Sequence, residues 1–132
     1  AEPTAPKSPC ILCVEVQDLI QEAFKKALSK MGYRVMLVGD AERAAERYQE
    51  SPPDALVFDI DGLGPEALDA FLAMHNKAHE DGHELAALVL LGPRQGHLAQ
   101  KLPTDDRLLV LTKPLKMKDV QEAVSQLAPI GA

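Results

Sequence analysis

Residues 53–62 read PDALVFDIDG, an apolar run of strand length that ends at two carboxylates and a glycine. Ala55 to Phe58 is apolar at every position, which is typical of a parallel strand whose sheet is covered by helices on both faces. In such sheets ligands bind beyond the carboxyl ends of the strands, where Asp59 and Asp61 would lie. A carboxylate there can ligate Mg²⁺ or attack phosphorus as a nucleophile. The simpler alternative is a strand end followed by an Asx-type turn.

The 132-residue chain is long enough for one domain with a substantial core. Its formal net charge of −6 argues against a phosphate backbone as ligand, so we expect no direct contact with nucleic acid. The sequence shows neither an apolar run near the ~20 residues of a membrane span nor a secretion signal, which predicts a cytoplasmic location without membrane contact. We interpret residues 1–8 as an interdomain linker or a vector-derived remnant, residues 9–128 as the domain and residues 129–132 as a tail.

The two cysteines, Cys10 and Cys13, have a C-x-x-C spacing. They fall within the first predicted strand, where residues three apart point to opposite faces of the sheet. The sequence contains no second cysteine pair that would complete a zinc site. We therefore expect two buried structural thiols.

Apolar strands and amphipathic helices alternate along the chain. The pattern predicts strands over residues 10–14, 33–38, 55–58, 85–91 and 107–112, and helices over residues 18–31, 40–48, 64–80, 97–101 and 116–127. Asp18 is the predicted N-cap of the first helix. Five such βα units predict a flavodoxin-like doubly wound α/β fold, a three-layer sandwich with the parallel strand order 2-1-3-4-5. In that order Glu15 and Asp59 would be neighbours, and Lys113 would approach them from the fifth strand.

The chain resembles the receiver domains of two-component response regulators over residues 9–127. The segments that carry the resemblance are ILCVE at residues 11–15, PDALVFD at residues 53–59 and LTKPL at residues 111–115. The resemblance implies that Asp59 accepts a phosphoryl group from a histidine kinase and that Lys113 contacts this phosphate. It further implies a Mg²⁺ site formed by Glu15, Asp59 and the backbone carbonyl of Asp61.

Three positions depart from the pattern of that family. Val16 stands where a second metal-binding acid is usual, Gly92 where a hydroxyl residue follows the phosphoryl group, and Val110 where an aromatic residue changes rotamer. Loss of a carboxylate lowers the affinity for a hard cation, and loss of the hydroxyl removes a hydrogen bond worth about 1.5–3 kcal/mol. We therefore predict an atypical receiver with weak Mg²⁺ binding and an incomplete metal and switch site. The alternative is a fully phosphorylatable response regulator.

Residues 58–62, FDIDG, are also similar to the nucleophile loop of haloacid-dehalogenase-type phosphatases. In a fragment of such a phosphatase, Asp59 would be the nucleophile and Asp61 the general acid and base. Against this alternative, Leu63 stands where that motif has Thr, and too little chain follows to supply the rest of that fold.

A second alternative is a metal site formed by His75, His79 and His83, which are spaced by four residues. The predicted apolar stripe of the third helix consists of Leu68, Phe71, Leu72 and His75. Because His75 belongs to this stripe and residues 80–82 end the helix before His83, we favour a solvated helix end over a metal site.

These patterns predict a signalling and protein-interaction module, not a turnover enzyme, with a histidine kinase or another signalling protein as its partner. In receivers, the face formed by the fourth helix, fifth strand and fifth helix commonly carries dimer or output contacts. By resemblance this face comprises residues 97–101, 108–110 and 116–126. It predicts a homodimer or output contact made through exposed Leu108 or Met117.

Overall fold

The computed structural model describes residues 8–130. Within them the strands are β1 (Cys10–Val14), β2 (Arg34–Val38), β3 (Ala55–Asp59), β4 (Ala87–Leu91) and β5 (Leu108–Thr112). The α-helices are α1 (Asp18–Lys30), α2 (Ala41–Glu50), α3 (Ile60–Leu63), α4 (Ala67–Glu80) and α5 (Met117–Leu127), and a 3-10 helix (Gly96–Lys101) lies between β4 and β5. In this part of the chain no helix has the length and apolarity that a membrane crossing requires. Residues 1–7 of the linker or remnant predicted over residues 1–8, and residues 131–132 of the tail predicted over residues 129–132, lie outside the described residues.

The strands pair in parallel in the order β2-β1-β3-β4-β5, which confirms the predicted flavodoxin-like doubly wound topology. Successive side chains of a strand point to opposite faces, so each central strand contributes to two core layers. Leu12 and Phe58 belong to the layer that also contains α2 and α4 residues, whereas Ile11 and Val57 belong to the layer with α1 and α5 residues. Helices on both faces explain why β3 is apolar at every position before Asp59.

The strand register brings the acidic residues to one edge of the sheet. Val14 of β1 pairs with Phe58 of β3, so the residues that follow them, Glu15 and Asp59, are neighbours. Strand β5 runs parallel to β4 and ends at the same edge, where it delivers Lys113. Three residues that are far apart in sequence therefore meet because their strands are parallel.

The opposite edge of the sheet holds both ends of the described chain. The Asp54 carboxylate accepts a hydrogen bond of 2.7 Å from the backbone N–H of Cys10, which holds the start of β1 beside the start of β3. Pro9 and Pro129 line the same cavity, which has a volume of about 230 Å³. The chain therefore enters and leaves this domain on the side away from the acids.

Several predicted boundaries and one predicted cap are wrong. The helix predicted over residues 64–80 begins only at Ala67, and the short helix α3, which was not predicted, precedes it and ends before Gly64, whose φ is 106°. Gln17, whose backbone is extended, is the N-cap of α1, and Asp18 is already helical. The helix predicted over residues 97–101 is a 3-10 helix, and β2 and β4 begin one and two residues later than predicted.

The apolar stripe of α4 also differs from the prediction. Leu68, Phe71 and Met74 are buried, whereas Leu72 and His75 are only partly buried. The buried face of α4 is thus centred on Phe71, and His75 lies at its margin.

Replacement of Phe71 tests this packing. Phe71 is fully buried and contacts Phe58 of β3 edge-on, with ring centroids 5.4 Å apart. We expect Phe71→Ala to lower the free energy of unfolding by about 3–5 kcal/mol, because it removes a buried ring and leaves a cavity. Leu72→Ala, at the adjacent half-buried position, is the matched control and should cost less. Urea denaturation measures both values, and equal losses would contradict the buried face described for α4.

Candidate functional site

Two carboxylic acids, Glu15 and Asp59, lie side by side where β1 and β3 end, and both side chains are fully buried. The backbone N–H of Gln17 donates to Glu15 Oε2 at 3.0 Å, and the backbone N–H of Gly62 donates to Asp59 Oδ1 at 3.2 Å. These donors offset part of the cost of removing carboxyl groups from water. Glu15 is thus held by the turn that follows β1, and Asp59 is the N-cap of helix α3.

Gly62 lies against both acids. A Cβ at this position would be 2.9 Å from Glu15 Oε2 and 3.1 Å from Asp59 Oδ2. A larger residue would have to move α3 or displace a carboxyl group. Glycine is therefore required here for its size, because it allows the backbone to approach the acids closely.

Lys113 brings a positive charge to the acids. Its Nζ lies 2.9 Å from Asp59 Oδ2 and 3.3 Å from Asp61 Oδ2. Burial lowers the pKa of Lys113, but its hydrogen bonds and Coulomb attraction to Asp59 and Asp61 outweigh burial, so this pKa lies above its ordinary value. Lys113 is therefore charged and compensates for part of the negative charge at this edge.

The fold strongly changes the protonation of Glu15. Burial, followed by a hydrogen bond with Asp59, raises the pKa of Glu15 from its ordinary 4.5 to about 7. The N–H of Gln17 and the charge of Lys113 act in the opposite direction but are weaker. Two neighbouring buried acids cannot both ionise easily, so Glu15 retains its proton to a higher pH than an exposed glutamate does.

Part of a site for a hard divalent cation is present at this edge. Glu15 and Asp59 supply carboxylate oxygens, and Glu15 Oε1 is buried without a hydrogen-bond donor among residues 8–130. Pro65 has no N–H to donate to the Asp61 carbonyl four residues earlier, so this oxygen is also available. Val16, which is 50% exposed, adds no oxygen, and the described residues contain no group of three His, Cys, Asp or Glu side chains that could hold a metal. A cation held here would depend on water for its other ligands.

The side chain of Asp61 takes part in the site, although the resemblance to receiver domains implied only its backbone carbonyl. Its carboxylate contacts Lys113 and lies against Gly92 at the end of β4. A Cβ on Gly92 would be 2.8 Å from Asp61 Cγ, so the missing side chain provides the space that the carboxylate occupies. The signal in the sequence is the combination of an acid two residues after Asp59 with a glycine directly after the fourth strand.

The three histidines do not come together as a metal site. His75 Nε2 lies 3.4 Å from Asp105 Oδ2, which joins α4 to the segment before β5. His79 and His83 are exposed, and the described part of the chain holds no grouping of these side chains that could share a metal ion. This geometry favours the solvated helix end.

Cys10 and Cys13 are free thiols that are buried in β1, as predicted. Burial raises the pKa of both thiols above the ordinary value of 9.0. Because the thiolate is the reactive form, a raised pKa makes a thiol less reactive near neutral pH. Both residues thus contribute to the packing of the first strand.

Comparison with known proteins defines the fold class. No protein-family model matches the sequence, and no curated protein matches it. The structure is similar to a response regulator receiver protein from Sinorhizobium medicae WSM419, with 20% identity, a TM-score of 0.76, and coverage of 92% of this chain and 95% of that chain. It is also similar to a sensor protein from Polaromonas sp. JS666, with 22% identity, a TM-score of 0.74, and coverage of 91% of this chain and 95% of that chain.

A third solved structure adds a metal to this comparison. It is the receiver domain of a sensor histidine kinase from Pseudomonas aeruginosa PAO1, which has a magnesium ion coordinated in its active site cleft. The identity is 21%, the TM-score is 0.70, and the alignment covers 93% of this chain and 99% of that chain. This chain therefore has the fold of response regulator receiver domains.

The raised pKa of Glu15 makes the stability of the domain depend on pH. Folded Glu15 keeps its proton up to about pH 7, whereas unfolded Glu15 releases it near pH 4.5. The folded state therefore binds more protons between these values, and this contribution to stability is complete below pH 4.5 and lost as the pH rises to about 7. Without divalent cations, we expect the free energy of unfolding to fall by on the order of 1–3 kcal/mol across this window.

Urea denaturation across the same pH window measures this effect. Glu15→Gln cannot titrate and should remove the fall, whereas Glu22→Gln, on the exposed face of α1, should keep it. Curves for Glu15→Gln that match those of the unmodified protein would show that Glu15 is not the titrating group.

Proposed function

We propose that this chain is the receiver module of a two-component phosphorelay protein, with Asp59 as the phospho-acceptor position and an incomplete metal and switch site. The observation that carries the proposal is the 2.9 Å contact between Asp59 Oδ2 and Lys113 Nζ, beside Glu15 at the carboxyl edge of the sheet. A fold by itself does not establish an activity, so the proposal rests on these three side chains.

The proposed reaction transfers a phosphoryl group from a phosphohistidine of a histidine kinase. An oxygen of Asp59 forms a bond to phosphorus while the P–N bond of the donor breaks, and the histidine leaves with the electron pair of that bond. Lys113 is placed to neutralise negative charge on the phosphoryl oxygens. Mg²⁺ held by Glu15, Asp59 and the Asp61 carbonyl would supply further positive charge when bound. The module would carry a signal and would not turn over a substrate.

We propose that Mg²⁺ binds weakly at this site. The two oxygens of Asp59 already accept hydrogen bonds from Gly62 and Lys113, and Val16 offers no oxygen in place of a second acid. Mg²⁺ requires near-octahedral oxygen ligands, and its affinity rises with the number of charged ligands. The magnesium ion in the Pseudomonas aeruginosa receiver supports the type of site, and Val16 supports a lower affinity in this chain.

In this proposal, the residues that couple phosphorylation of a receiver to a conformational change are also incomplete. Gly92 has no hydroxyl group to follow a phosphoryl group, and Val110 has no aromatic ring to change rotamer. A phosphoryl group would thus have few contacts through which to favour a second conformation. We therefore expect the module to bind its partner mainly in one state.

The contact of Asp61 argues against the phosphatase alternative. A phosphatase of that type would need Asp61 as a general acid and base that can reach the substrate. In this protein the Asp61 carboxylate is held 3.3 Å from the Lys113 ammonium. This ion pair favours a receiver over a phosphatase fragment.

The proposed partner surface comprises the outer side of β5 and α5. Of the two contacts predicted there, Leu108 is buried and Met117 is partly buried, so the prediction of an exposed Leu108 is wrong. Val110 is exposed instead, on β5, which is an edge strand of the sheet. A groove of about 260 Å³ beside Val110 is also lined by acidic residues of α5. This groove suits a partner that presents an apolar side chain next to a positively charged one, whether the partner is a histidine kinase, another signalling protein or a second copy of this chain. The predicted location is the cytoplasm.

Labelling with a small phosphodonor tests the acceptor position. We expect slow or undetectable labelling of Asp59 by acetyl phosphate with Mg²⁺, because the metal site lacks one carboxylate. Val16→Asp should increase the rate, and Asp59→Asn should abolish the label. Mass spectrometry of the intact protein measures the labelled fraction over time. Rapid and stoichiometric labelling of the unmodified protein that is lost in Asp59→Asn would contradict this prediction, because it would indicate an ordinary, fully phosphorylatable receiver.

Substitution of Val110 tests the partner surface. If two copies associate through β5 and α5, Val110→Asp should raise the dissociation constant about tenfold, because it places a charge within an apolar contact and beside acidic residues. Leu19→Asp is the matched control, since Leu19 is 80% exposed at the start of α1, outside this surface. Analytical ultracentrifugation measures the self-association. A monomer at every concentration, or an equal effect of both substitutions, would contradict the proposed dimer.

A further inference from the structure

Asp61 and Lys113 form an ion pair at the outer side of the acidic site. Their side chains are 40% and 23% exposed, respectively, and the two charged groups lie 3.3 Å apart. Asp59, which contacts the same ammonium at 2.9 Å, has no exposed surface. The contacts therefore run from the buried acceptor position through Lys113 to Asp61 near the solvent.

The Asp61 carboxylate occupies a space that the fold leaves for it. Helix α3 begins directly after Asp59 and carries Asp61 towards the end of β4. There the carboxyl group lies in the space of a missing side chain, since a Cβ on Gly92 would be 2.8 Å from Asp61 Cγ. A side chain at position 92 would compete with the carboxylate for this space, so the position of the Asp61 carboxylate depends on the glycine at position 92.

The Asp61 carboxylate occupies the position beside the Lys113 ammonium that an oxygen of an incoming phosphoryl group would occupy. The single positive charge of Lys113 is already shared between two carboxylates, those of Asp59 and Asp61. A phosphoryl group that approaches Asp59 carries negative charge and is repelled by Asp61 unless that carboxylate moves away. Asp59 itself has no exposed surface, so a donor can reach it only after neighbouring groups move.

We infer that the Asp61 carboxylate, seated in the space beside Gly92 and paired with Lys113, is an internal anion that closes the site against phosphoryl donors. The inference rests on the proposed function of Asp59. The site is closed while Asp61 contacts Lys113, and it opens when Asp61 leaves the ammonium free to contact a phosphoryl oxygen.

The first experiment measures labelling of the full chain by acetyl phosphate with Mg²⁺ in a Val16→Asp background, in which labelling should be measurable. In this reaction the bond from phosphorus to the acyl oxygen breaks, acetate leaves, and a P–O bond forms at Asp59. Asp61→Asn removes the competing charge, and Gly92→Ala displaces the carboxylate from its space. Asp69→Asn removes an exposed charge from α4 and is the matched control. We expect labelling about tenfold faster in each of the first two variants and unchanged in the control.

The second experiment does not involve phosphate. Acetic anhydride acetylates the neutral form of an accessible lysine, and mass spectrometry measures the rate at Lys113. Asp61→Asn should raise this rate severalfold, because Lys113 loses the ion pair that holds its amino group 3.3 Å from the Asp61 carboxylate. Asp69→Asn should again leave the rate unchanged.

The two experiments separate the inference from the proposed function. If Val16→Asp is labelled but Asp61→Asn and Gly92→Ala add nothing, the inference is overturned and the proposed function stands. An unchanged acetylation rate at Lys113 in Asp61→Asn also overturns the inference, because the ion pair would then be absent in solution. If no variant is labelled, Val16→Asp included, the proposed function fails and the inference fails with it, since there would be no acceptor to close off.

Discussion

Glu15 and Asp59 are buried at the end of the sheet, and the cost of removing two carboxyl groups from water must be met by their surroundings. Lys113 supplies a charge from the end of β5, the turn after β1 and helix α3 supply backbone N–H groups, and Glu15 retains a proton to about pH 7. Each contribution comes from a different strand or from the turn behind it. The same parallel strand order thus brings the two acids together and supplies the groups that stabilise them.

Much of the fold could be predicted from the sequence, because it follows from patterns that repeat along the chain. The uniform apolarity of residues 55–58 requires cover on both faces of the sheet, and the alternation of strands and helices then leaves few topologies. The approach of Glu15, Asp59 and Lys113 could be predicted for the same reason, since it depends on strand order and not on the direction of individual side chains. Their functional roles remain proposals.

Features that depend on local geometry or on neighbours in space could not be predicted. The break between α3 and α4 results from the backbone of Gly64, whose positive φ no hydrophobic pattern reveals. The exposure of Val110 and the burial of Leu108 depend on which neighbours cover each side chain of the edge strand β5, and an apolar run does not reveal this. The contact of Asp61 with Lys113 requires the empty space at Gly92, which is visible only once β4 lies beside α3.

The cavity shared by Pro9 and Pro129 places the two ends of the described chain beside each other. A unit whose ends are adjacent can be inserted into a loop of a host protein without forcing the two sides of that loop apart. The acids lie at the other end of strands of five residues, roughly 17 Å away at 3.3 Å per residue. This distance is about two Debye lengths at physiological salt, so a change of charge at the acids is largely screened from the two ends of the described chain.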